Sequence, residues 1–149
     1  MKYDLDRFKT AQASCYPQVL DEMKNGKKLS HWMWFIFPQI AGLGTSATAK
    51  KYEILNKEEA ECYLRDELLS KRLVELTSIL VDDIEGKTAE DIFGFPDYLK
   101  FHSSITLFYK VVISNKQFTD NSAFCCFEAA IIKYYDGKLD SATVENFKS

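Results

Sequence analysis

The residues able to do chemistry in this chain gather in two stretches. The first runs from Ser30 through His31, Trp32, Met33, Trp34, Phe35, Ile36, Phe37, Pro38 and Gln39 to Gly42, Gly44 and Ser46, and it holds both tryptophans and one of the two histidines. An imidazole at His31 titrates near neutrality and can carry a proton. The indole of Trp34 offers a flat face to a planar ligand. Gly42-Leu43-Gly44-Thr45-Ser46-Ala47 then leads into a segment of helical character that includes Lys50 and Lys51. Backbone N–H groups at a helix start lack intrahelical partners, and glycines let a ligand come close to the backbone, so the turn has the makings of an anion site.

The second stretch is Lys100-Phe101-His102-Ser103-Ser104-Ile105-Thr106. On a helix Lys100, Ser103 and Ser104 share one face, while His102 and Thr106 share another. Lys100 with Ser103 can clamp a phosphate or carboxylate. Nucleophilic use of Ser103 demands a base within hydrogen-bond reach and an oxyanion pocket beside it. Ligand binding is the smaller demand.

Each feature also has a purely structural reading. Trp32 and Trp34 fit a packed core, and the serines can bond back to helical carbonyls or let helices approach closely. The glycine turn reads equally as a tight turn followed by an N-cap. It matches G-x-G-x-x-A formally, but Pro38 precedes it and no second strand follows to make a βαβ unit, so the signal for a dinucleotide fold is weak, and a far-ultraviolet spectrum dominated by helix would dismiss it.

The elements that must position these residues are helices. Leu5, Phe8, Ala11, Gln12 and Cys15 follow Asp4 at helical spacing, Pro17 breaks the pattern, and a short helix from Pro17 stops at Gly26. Ser30 is expected to cap a short, deeply buried element ending before Pro38. Asn56-Lys57-Glu58-Glu59 has capping-box form, Asp66 restarts the chain, and Leu68, Leu69, Leu73, Leu76, Ile79 and Leu80 make a long apolar stripe. Thr88 opens another start that closes at Gly94. Pro96 and Asp97 favour a long helix to about Val112, Phe118 to Gly137 reads as one more, and Asp140 caps a last short one. No hairpin chemistry or repeat interrupts this. The fold class is therefore all-α: a single domain over residues 1–149 built as an array of roughly seven to nine helices.

Composition narrows the function classes. Aromatic residues make up 14% and charged ones 28%, a globular balance, and the net charge of -3 argues against broad binding to nucleic acid or anionic membrane. Lys24, Lys27 and Lys28 read as a solvated helix end. Cys15, Cys62, Cys125 and Cys126 lack C-x-x-C spacing, and with two histidines far apart neither a metal nor a cofactor is expected. The charged N-terminus has no signal-peptide core and no apolar run approaches the ~18 residues of a membrane span, so a cytoplasmic location is expected.

Against this background the chain resembles domain-of-unknown-function family 1810. The resemblance is carried by Arg7-Phe8, Ala11-Gln12, the whole Ser30–Gln39 block, Gly42-Leu43-Gly44 with Ser46, Ala49 and Tyr52, Glu59-Ala60, Tyr63-Leu64, Arg72-Leu73, Ile92-Phe93-Gly94, Asp97, Leu99-Lys100 and Ser103 to Phe108. It implies an all-α array of cytoplasmic, mostly bacterial proteins and no particular activity. Some relatives carry a calpain-inhibitor (calpastatin) label, which finds no disordered inhibitory segment here. Pro17 and Asp66-Glu67 depart from the pattern, both at helix boundaries.

The pattern is densest in the two stretches with chemical potential, so they are expected to face each other across a pocket. Gly42, Gly44, Ser46, Lys100 and Ser104 would hold a small anionic ligand, nucleotide or ADP-ribose-like, with Trp34 stacking and Gln39 orienting. If there is turnover, metal-independent hydrolysis through His31 and Ser103 is the expected chemistry. The alternative is a non-enzymatic protein-interaction module with the aromatic block as core.

Overall fold

The computed structural model describes residues 2–147. Helix α1 (Asp6–Ala13) and α2 (Tyr16–Lys24) are separated at Ser14 and Cys15, with Pro17 tolerated in the first turn of α2 and Gly26 (φ +68°) turning the chain after it. Then comes α3 (Met33–Ile36), a single turn, followed by the glycine loop and α4 (Ala47–Tyr52). Helices α5 (Lys57–Arg65), α6 (Glu67–Asp82) and α7 (Ala89–Phe93) precede the long α8 (Asp97–Ile113). The chain closes with α9 (Lys116–Thr119), α10 (Cys126–Tyr135) and α11 (Ser141–Asn146).

The described residues thus form eleven α-helices and no named strand, where seven to nine helices were expected. Much of the excess comes from one place. The segment from Phe118 is not continuous, because Asn121 turns its side-chain oxygen onto the Ala123 N–H, as Asn115 does onto the Gln117 N–H at the expected break before it. Those local bonds compete with helix propagation and cut α9 and a 3₁₀ turn (Ser122–Cys125) away from α10.

Caps follow the chemistry elsewhere. Asp66 Oδ1 accepts from Leu69 N at 3.0 Å, Thr88 and Asp91 form a reciprocal box, and Ser46 Oγ accepts from Ala49 N at 3.0 Å. Asn56 takes Glu59 N as expected, but the Glu59 carboxylate reaches back one residue further, to Leu55 N. Ser30 caps nothing. Its hydroxyl donates to the buried Glu22 carboxylate at 2.7 Å, and α3 begins only after Trp32.

The core is organised on α8, whose Phe101, Ile105 and Phe108 are fully buried and which packs on α5, α7, α10 and α11. The end of α3 enters this core through Phe37, edge-on to Phe101 at 4.9 Å and to Phe93 at 5.9 Å. Such aromatic pairs add about 0.5–1.5 kcal/mol each beyond burial. A single parallel bridge secures the base of the glycine loop, with Ala41 N donating to Ile54 O and Ile54 N to Gln39 O, both at 2.8 Å. The loop therefore stands up from a fixed base beside α8. Among the described residues no helix is long and apolar enough to cross a membrane.

Candidate functional site

A cavity of about 490 Å³ opens between α3, the glycine loop, α8 and the start of α11. Trp34, Gln39, Gly44, Ser46, Lys100 and Ser103 line it, so the two chemically promising stretches do meet across it. Three of the nominated residues lie elsewhere. His31 is exposed and outside the lining. Gly42 faces away: its N–H points to Glu53 Oε1 (3.4 Å), and a Cβ there would meet Asn146 Oδ1 at 2.8 Å. Ser104 is fully buried with its hydroxyl unpartnered, turned into the helix packing.

Gly42 and Gly44 serve the loop in different ways. Gly42 has φ +100°, a conformation that side chains resist. At Gly44 the constraint is space, since a Cβ there would fall 2.5 Å from that of Ala49 on α4.

Electrostatics on the α8 side follow from a shared carboxylate. Asp97 is bound by Lys28 through Oδ2 at 2.8 Å and by Lys100 through Oδ1 at 3.5 Å. Lys28 lies over the Trp32 ring at 5.2 Å and Lys100 over the Trp34 ring at 5.3 Å, distances suited to cation–π attraction. Two ammonium groups thus share one carboxylate, and the more loosely held of them, Lys100, lines the cavity. Lys28, which read as part of a solvated helix end, is instead packed away, with its side chain 7% exposed.

Beside α8 the cavity is also lined by Asp140, which the sequence had marked only as a helix cap. Its Oδ2 accepts from Ser103 Oγ at 2.8 Å, Thr143 Oγ1 at 2.6 Å and Thr143 N at 3.2 Å. The Ser103 hydroxyl thus lies between that carboxylate and the Leu99 carbonyl, 3.1 Å away. No imidazole stands behind it: the His102 ring stacks on Tyr135 at 3.9 Å, and its Nε2 lies 2.7 Å from Lys138 O. Among the described residues no group of three His, Cys, Asp or Glu side chains gathers to hold a metal ion. The cavity thus brings an ammonium, an indole and a serine–carboxylate pair together, and among the described residues no imidazole is paired with that serine.

Comparison with known proteins adds the family. A crystal structure described as the conserved hypothetical protein Rv1873 from Mycobacterium tuberculosis, at 1.38 Å, superposes with a TM-score of 0.89 and 42% identity, covering 99% of this chain and 98% of that one. No curated protein matches. A family model described as "Protein of unknown function (DUF1810)" matches residues 2–147, and the chain belongs to that family.

Proposed function

We propose that this protein binds a small anionic molecule, nucleotide or ADP-ribose-like, in the cavity between the glycine loop and α8. The observation that supports this most is the unequal sharing of Asp97, which leaves the Lys100 ammonium with a weak claim on its carboxylate, on the wall of a cavity of about 490 Å³. That volume falls in the range of small-molecule sites. Trp34 supplies a ring at the same wall, and Gln39 and Ser46 supply polar groups. Hydrolysis is left out of the proposal, because His31, its expected proton carrier, lies outside the cavity lining.

The test is thermal melting of the purified protein against nucleotides, NAD-related compounds and sugar phosphates, with Lys100→Ala alongside. A compound present at ~100 times its dissociation constant adds about 2.7 kcal/mol. A shift lost in the variant is the expected result. No shift from any compound, in a protein that melts cooperatively, overturns the proposal. It would favour the interaction-module reading, which draws its support from two exposed apolar residues, Phe95 at 73% and Leu99 at 44%, the second of which lines the cavity.

A further inference from the structure

Asp140 is held more rigidly than a helix cap needs. Besides the three donors on Oδ2, its own N–H donates to Thr106 Oγ1 at 3.1 Å, and the Thr106 and Thr143 side chains that fix it are fully buried, with Ser103 nearly so. Capping uses Oδ2 alone. Among the described residues Oδ1 receives no hydrogen bond, and the one buried side-chain polar atom without a partner is Ser104 Oγ, so Oδ1 is open to water at the cavity wall. A carboxylate oxygen accepts and never donates. What meets it in a complex must therefore bring a hydrogen-bond donor.

Lys100 and Ser103 share a face of α8 at a rise of about 4.5 Å, and Ser103 touches Asp140, so an ammonium and a carboxylate bound the same small space. A ligand that is anionic throughout would meet repulsion from Asp140 as it approached Lys100. Resting on the anion reading above, we propose that the ligand is bipolar: an anionic group at Lys100 and hydroxyls or an ammonium at Asp140 Oδ1. Asp140 is then a ligand-binding, specificity-determining residue in addition to the cap of α11.

Calorimetric titration with inorganic phosphate, ribose 5-phosphate and phosphoethanolamine separates these roles in the wild type, Lys100→Ala and Asp140→Asn. Asparagine caps helices as well as aspartate, so this variant keeps its fold, with a melting point lowered only by the weaker bonds an amide oxygen accepts. With its oxygen serving the cap, it turns an amide N–H₂ toward the cavity in place of the open oxygen. In the wild type at least one of the two bipolar probes should bind about tenfold or more tightly than inorganic phosphate. In Asp140→Asn an ammonium ligand should lose about tenfold or more, while a polyol, whose hydroxyls can reverse and accept, should lose only a few-fold. Which probe binds identifies the donor. Lys100-dependent binding that treats the probes alike, or that Asp140→Asn leaves unchanged, overturns the role of Asp140 and leaves the anion reading standing. Absence of Lys100-dependent binding by every probe overturns the bipolar assignment, while the anion reading is decided separately by the melting panel of nucleotides, NAD-related compounds and sugar phosphates.

Discussion

Lys28 holds Asp97 at 2.8 Å, a tighter grip than the 3.5 Å contact of Lys100 with the other oxygen of the same carboxylate. Lys28 does not line the cavity. Its place over the Trp32 ring nevertheless decides how much of the Lys100 charge is available to a ligand.

Replacing Lys28 with methionine should therefore weaken an anionic ligand from outside the site. Freed from Lys28, Asp97 would draw Lys100 into a full ion pair, and ligand affinity should fall about three- to tenfold while Lys100→Ala loses more. The measurement is a titration of both variants with whichever compound stabilises the wild type. Unchanged affinity in Lys28→Met would show that Asp97 does not set the Lys100 charge.

Glu22 makes a second remote contribution, seen as pH dependence. Burial pushes its carboxyl up, but the N–H of Leu29, the Ser30 hydroxyl, the Trp32 indole and the Ser30 N–H together hold it below its ordinary 4.5. A carboxylate depressed on folding stabilises fully above its unfolded value and loses that contribution as pH falls through the folded one. Denaturation midpoints should thus fall below about pH 4.5 in the wild type. Glu22→Gln should cost about 1–3 kcal/mol at neutral pH and show a shallower acid limb, read by urea unfolding at several pH values.

The same cluster explains which parts of the site were legible in sequence. Ser30 and Trp32 are both tied to Glu22, and His31 between them is exposed. A position after Ser30 at an element start suits a surface, but no spacing rule links Glu22 to Trp32, so nothing in the sequence placed His31 outside the cavity. Trp34, Gln39, Gly44, Ser46, Lys100 and Ser103 were nominated because helical periodicity and glycine chemistry are local, and all six line one cavity. Asp140 and Lys28 were read only as cap and surface because their partners, Ser103 and Asp97, lie 37 and 69 residues away. The helical class followed from caps and apolar spacing. The break near Asn115 was expected, but the helix count missed because Asn121, whose side chain interrupts the chain before α10, stands at a position that also suits a continuing helix.

Arg7 tests how α4 is held beside the cavity. Its guanidinium pairs with Glu59, whose side chain is fully buried, at 2.9 Å, and also donates to the carbonyls of Lys51 and Glu53 at 2.8 Å, where α4 ends. Arg7→Met leaves a buried carboxylate without its cation and should cost about 3–5 kcal/mol by chemical denaturation. Arg7→Met with Glu59→Leu removes both charges and should recover part of that loss. An equal loss in the double variant would place the stabilisation in the carbonyl contacts and not in the pair.

Gly44 offers the sharpest test that the loop shapes the cavity, because its constraint is spatial alone. Its backbone lies outside the left-handed region, so alanine is conformationally acceptable there, yet the new Cβ would stand 2.5 Å from Ala49 Cβ. Neither atom has a flexible end to swing aside, so the loop or the first turn of α4 must move. Overpacking of this kind costs about 1–3 kcal/mol. The displaced turn faces Lys100 and Trp34, so affinity for a cavity ligand should fall with stability. Ala49→Gly alone should cost about 1 kcal/mol through helix propensity. Combined with Gly44→Ala it restores the space, and the pair should therefore be less damaging than the two losses summed, with a coupling of about 1 kcal/mol or more. Simple additivity would mean that the loop yields elsewhere and that Gly44 is not what fixes the wall opposite Lys100.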